Sequence, residues 1–113
     1  MFKATLTQEN IADLTRKIDI FLRAKIFTFE ELSDSGLKIE KHLRLFDPGA
    51  RGEVYQNDGA ISIYQTDGKS PCLARIWQGA QLTFLDNLIY IHLITRDGKH
   101  LHTTIRSMTY RLE

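Results

Sequence analysis

The chain has one cysteine, Cys72, two prolines, and almost as many acids as bases. A lone cysteine excludes a scaffold of intramolecular disulfides, and it fits a reducing compartment. The longest apolar run, Leu88 to Ile91, stops at His92 and is far too short to span a bilayer. Residues Met1 to Asn10 lack the apolar core of a signal peptide, so the chain is expected to be cytoplasmic with no membrane partner. Fifteen Lys and Arg against fourteen Asp and Glu leave a net charge of +1, without the basic excess usual in a dedicated nucleic-acid binder. There is no internal repeat, no low-complexity stretch and no catalytic or cofactor motif of high specificity. No cofactor is expected.

What is present suits a folded domain. At 113 residues and 42% hydrophobic, the chain is long and apolar enough for a single core, and it is read as one domain over residues 1–113. The expected class is α+β: an N-terminal amphipathic helix and one or two short helices, packed on a C-terminal antiparallel meander of four to six strands. The helical part is expected over about 7–46 and the meander over about 53–106. Ile11, Leu14, Ile18, Phe21 and Leu22 recur at helical spacing, with Thr7 as N-cap, and predict a helix from Thr7 to Lys25. Thr28 and Glu31 have capping-box spacing, which predicts a short second helix. Leu37, Ile39, Leu43 and Phe46 suggest a third, over Leu37 to Phe46, ended by Pro48-Gly49.

Three Asp-Gly pairs punctuate the second half, at Asp58-Gly59, Asp67-Gly68 and Asp97-Gly98. Asp-Gly between alternating apolar runs is a strong hairpin signal. The runs are Glu53 to Gln56, Ala60 to Gln65, Cys72 to Gln78, Gln81 to Leu85, Leu88 to Thr95 and His100 to Arg106. Asp86-Asn87 reads as a further turn or a bulge.

A two-residue turn at Asp97-Gly98 would pair Tyr90 with Ile105. It would put Tyr90, His92, Ile94, Leu101, Thr103 and Ile105 on one face. Ile89, Ile91, Leu93, Thr95, His100, His102, Thr104 and Arg106 would share the other. In that register the strand from Leu88 is apolar on both sides, and Ile89, Ile91 and Leu93 offer a surface for a partner. His100 and His102, two residues apart, are weak metal candidates with His42 or Asp97 as further ligands. Two histidines without a cysteine cluster fall short of a four-ligand zinc site, so no metal is expected.

Three functional readings follow. The first is a non-enzymatic interaction or regulatory module, acting through a protein partner or self-association, with a homodimer formed through the sheet at Ile89, Ile91 and Leu93. The second is a small-ligand pocket between helix and curved sheet, lined by Trp77, Tyr90 and His92, with catalysis a further option. The third is nucleic-acid binding or RNA cleavage through Arg96, Lys99, His100, His102 and Arg106 on the last hairpin. Cys72 alternates with Ala74 and Ile76 and reads as a small buried hydrophobe.

Overall fold

The computed structural model describes residues 1–23, 26–36, 39–45, 52–65 and 72–108, and for residues 26, 39–45, 65 and 108 it describes the backbone alone. The chain runs β1 (Phe2–Thr5), α1 (Ile11–Leu22), β2 (Ile26–Asp34), β3 (Ile39–Leu45), β4 (Gly52–Asn57), β5 (Ala60–Gln65), β6 (Ala74–Ile76), β7 (Gln81–Phe84), β8 (Leu88–Ile94) and β9 (His100–Met108). A six-stranded antiparallel sheet has the order β1-β7-β8-β9-β2-β3, and a second sheet has the order β4-β5-β6. The class is α+β, with a single helix and mostly antiparallel sheet among the described residues. No helix among these residues is long and apolar enough to cross a membrane.

The helix forms where its apolar stripe predicts. Ile11, Leu14, Ile18 and Leu22 are buried, and Phe21 packs its ring 5.3 Å from that of Phe27. Its start is set by Thr7 and Asn10. The Thr7 N–H donates to Asn10 Oδ1 (2.8 Å), the Asn10 N–H donates to Thr7 Oγ1 (3.4 Å), and Asn10 Nδ2 donates to the Thr5 carbonyl (2.7 Å). This reciprocal box closes a turn before the helix, so α1 begins at Ile11 rather than Thr7. The solvent face carries the ion pairs Asp13–Arg16 (2.7 Å), Asp13–Lys17 (3.5 Å) and Asp19–Arg23 (2.9 Å). At this exposure solvent screening leaves them little weight in the stability of the fold. The Arg16 hydrogen bond holds the Asp13 carboxyl below its usual range.

The two short helices expected over residues 28–46 are strands. Ile26-Phe27-Thr28-Phe29 combines β-branched and aromatic residues with period two, and Phe27 and Phe29 are fully buried. The i, i+3 spacing of Thr28 and Glu31 carries no cap, because both lie within β2. Ile39, Leu43 and Leu45 share one strand parity, and β3 pairs with β2 from Thr28↔Leu45 to Asp34↔Ile39. β2 runs on through Ser33 and Asp34, and the chain leaves it at Ser35-Gly36. Gly36 takes φ +80°, and its N–H donates to Asp34 Oδ1 at 2.8 Å. Long-range pairing of β2 with β9, Phe29 against Ile105, overrides the weak local helical signal.

Every run expected as a strand after residue 52 contains one, but they do not form a single meander. β4, β5 and β6 make their own sheet, and β7, β8 and β9 join the larger one. Asp58-Gly59 is a two-residue turn with φ of +52° and +75°, closing Asn57↔Ala60 as a type I′ geometry requires. Asp86-Asn87 is likewise a turn, with the Leu85 N–H donating to the Leu88 carbonyl. Asp67-Gly68 lies outside the described residues.

One core joins α1, the small sheet and one face of the large sheet. Leu14, Ile18, Phe27, Phe29, Ile61, Ile63, Leu82, Ile89 and Ile105 are all at or near zero exposure within it. Gly52 brings β4 close against the helix, with Leu22 filling the place a β-carbon would take. The opposite face of the large sheet is not covered by any element among the described residues.

Candidate functional site

The last hairpin decides which side chains meet on that open face. Its loop has three residues, Arg96-Asp97-Gly98, not two. The Gly98 N–H donates to the Thr95 carbonyl (3.0 Å) and the Thr95 N–H to the Lys99 carbonyl (2.9 Å). Gly98 alone has positive φ, +81°. This is a type I turn followed by a left-handed glycine, the usual three-residue hairpin. Thr95 reinforces it: its hydroxyl accepts from the Lys99 N–H (3.0 Å) and donates to the Asp97 carboxylate, holding the Asp97 carboxyl below its usual range.

The extra loop residue moves the pairing by one. Tyr90 faces Thr104 rather than Ile105, His92 faces His102, and Ile94 faces His100. A slip of one residue exchanges the faces of one strand relative to the other. Ile105 is buried in the core and Leu101 lies half-buried on the same face of β9, but β8 is reversed. Ile89 and Ile91 are buried in the chain's own core, and Leu93 packs against it. The side chains expected to meet a second copy thus lie, at Ile89 and Ile91, in the chain's own core, with Leu93 half-buried at its edge. Tyr90 and His92 instead join His100, His102, Thr104 and Arg106 on the open face.

Three histidines thereby come together. The His92 and His102 rings stack with centroids 4.5 Å apart and 3° between planes, and the His92 and His100 rings lie at 5.2 Å and 16°. One ligand nitrogen from each lies within 4.8 Å of the others. His92 Nε2 and His100 Nδ1 share a hydrogen bond at 3.0 Å, and Tyr90 Oη shares one with His102 Nδ1. Burial, and then the facing His102 and His100, push His92 below the ordinary imidazole value. His42 lies in β3, opposite Glu31 in register. Neither Asp97 nor Cys72 belongs to the cluster; the Cys72 thiol donates to the Ala74 carbonyl at 3.1 Å.

Beside the histidines, the open face forms a groove of about 730 Å³ over β1, β7, β8 and β9. Lys3, Thr83, Tyr90, His92, Thr104 and Arg106 contribute to its polar wall, and no carboxylate lines it among the described residues. Neither Lys3 nor Arg106 makes an ion pair among the described residues. The acids on the same face, Glu30 and Asp34, lie beyond β9 in β2. Lys3 carried no signal in the sequence, since only the pairing of β1 with β7 brings it there.

Trp77 does not join Tyr90 and His92. It is 47% exposed, and its ring lies under the Arg75 guanidinium at 5.7 Å. It lines a separate, smaller cavity of about 150 Å³ with Leu93, Leu101 and Ser33. The pocket expected between helix and sheet from Trp77, Tyr90 and His92 is thus divided: two of the three lie on the face away from the helix. Arg96 and Lys99 are in the hairpin loop or at its edge, apart from the groove wall.

Neither a protein-family model, nor a curated protein, nor a solved structure matches the chain.

Proposed function

We propose that the chain binds a small anionic ligand, carrying phosphate or carboxylate, in the groove on the open face of its large sheet. The observation that carries this reading is the groove's wall: Lys3 and Arg106, which have no ion-pair partner among the described residues, beside hydroxyl and imidazole groups, with no carboxylate among the described lining residues. The volume lies in the range of small-molecule sites. An arginine can hold two anionic oxygens at once, and a charge-assisted hydrogen bond is stronger than a neutral one. Tyr90 and His92, expected from the sequence as pocket residues, would orient the ligand from the floor.

Calorimetry at low salt tests it, with inorganic phosphate, nucleoside phosphates, dicarboxylates and a short single-stranded RNA as probes. Binding of one small anion per chain is expected, weakened roughly ten- to a hundredfold in Arg106→Gln. Anion binding that ignores both Arg106→Gln and Lys3→Gln, or no binding at all, would sink the proposal. RNA retention that falls steeply with salt and needs Arg96 and Lys99 would favour the nucleic-acid reading instead.

Contact with a protein partner is the second reading, and the half-exposed Trp77 favours it. A flat aromatic beside an arginine has the composition of an interface hot spot. A partner captured by the wild type and lost with Trp77→Ala, while anion binding persists, would support it. Equal capture by both forms would remove Trp77 from the interface.

A further inference from the structure

We propose that His92, His100 and His102 form a binding site for a divalent transition-metal ion of the zinc type, with three imidazole ligands and one coordination position left open. The rings come from two adjacent strands whose pairing fixes His92 directly opposite His102, with His100 one step along the same face. Three imidazole nitrogens are the ligand set that suits zinc, cobalt, nickel and copper rather than magnesium or calcium. Three protein ligands with an open fourth place is the pattern of reactive zinc sites, whereas closed four-ligand sets serve structure.

The geometry lies near a coordinating one without already being it. Zinc–nitrogen bonds of about 2.0–2.1 Å require ligand nitrogens roughly 3.4 Å apart. The nitrogens here lie within 4.8 Å of one another, and the rings are almost parallel. Parallel rings aim their lone pairs along parallel planes, so the metal must turn them about the bond to Cβ. That torsion is soft. The turn breaks the His92–His100 hydrogen bond, the proton of its donor nitrogen passes to the other nitrogen of that ring through solvent, and the two freed lone pairs bind the metal.

Tyr90 supplies the outer shell. Its hydroxyl meets His102 Nδ1, which leaves Nε2 of that ring as the donor toward the cluster. A hydrogen bond to the far nitrogen is the ordinary way a metal-binding histidine is held in its tautomer and orientation. The remaining position faces solvent on the open side of the sheet, beside the groove that His92 also lines.

Titration of chelator-stripped protein with zinc, followed by calorimetry, tests the site, and cobalt reports its geometry through visible d–d bands. One ion per chain is expected, with the cobalt spectrum of a four-coordinate site. Replacing any one of the three histidines by glutamine should weaken zinc by at least about tenfold. Tyr90→Phe should weaken it by about 10- to 100-fold through the outer shell. His42→Gln and Arg106→Gln should leave it unchanged, and Arg106→Gln separates this site from the anion groove. Because a variant can lose its fold, the wild type is also read directly: zinc should shift the ring nitrogen resonances of His92, His100 and His102 in NMR spectra, and not those of His42. Zinc affinity equal to that of the triple glutamine variant, or ring resonances unmoved at saturating zinc, would overturn the site.

Discussion

Gly52 offers the sharpest test of how the helix meets the small sheet. Its backbone is in an ordinary region, so alanine meets no torsional penalty there. The obstacle is packing: a β-carbon at Gly52 would lie 2.7 Å from Leu22 Cδ1 and 3.3 Å from Leu22 Cβ and Cγ. The far methyl can swing, but Leu22 is at zero exposure in the core and its Cβ is fixed by the helix. Overpacking of this kind costs about 1–3 kcal/mol. The lower chain entropy of an unfolded alanine returns only about 0.4–1 kcal/mol. Gly52→Ala should therefore destabilise, lowering the thermal midpoint by roughly 4–8 °C for each kcal/mol lost. Leu22→Ala alone should cost about 2–5 kcal/mol through its cavity. In the double variant the new methyl enters the space that the leucine has left. The two costs should fall short of additivity by about 1 kcal/mol or more. Denaturant unfolding of all four proteins measures this. Strict additivity, or a neutral Gly52→Ala, would refute the close approach.

Gly98→Ala meets no neighbouring atom and is penalised by its left-handed φ alone, so a loss of about 1–2 kcal/mol is expected in urea unfolding, without change in anion or zinc binding. Burial and the neighbouring His102 and His100 hold His92 below its ordinary value of 6.5 in the fold. With metal absent, the unfolded chain then takes up that proton first as pH falls. Stability is complete above pH 6.5 and declines below it until the folded imidazole also protonates. His92→Gln should flatten this decline in denaturant midpoints between pH 7.5 and 5, and an identical profile would remove His92 as its cause.

The helix was legible because one sequence signal dominated it: four buried aliphatics at helical spacing. The strands after residue 52 were legible for the same reason, in period two. Residues 26–45 were not. Ile39 and Leu43 fit a helical stripe as well as a strand, and only the pairing of β3 with β2, which β9 joins to the rest of the sheet, decides between them. At the site, the sequence named His92, His100, His102, Tyr90 and Arg106 but set them on two faces. The error was one loop residue. Asp-Gly announces a hairpin without saying whether both residues or glycine alone take positive φ. At Asp58-Gly59 both do, and at Asp97-Gly98 only glycine does. The groove's Lys3 was beyond reach of local reasoning, because its neighbours in the sheet are nearly eighty residues away.

That distance also bears on how the chain is made. The six-stranded sheet cannot be laid down in the order of synthesis. β1 must wait for β7, and β2 and β3 join the rest only through β9. The β4–β5 hairpin has local partners and can pair as soon as it is synthesised. A nascent chain lacking β9 holds two fragments of the large sheet, β1-β7-β8 and β2-β3, with no strand to join them. Such long-range closure slows folding. It also makes the last strand a checkpoint: the face that carries the histidines exists only once the rest of the sheet is in place.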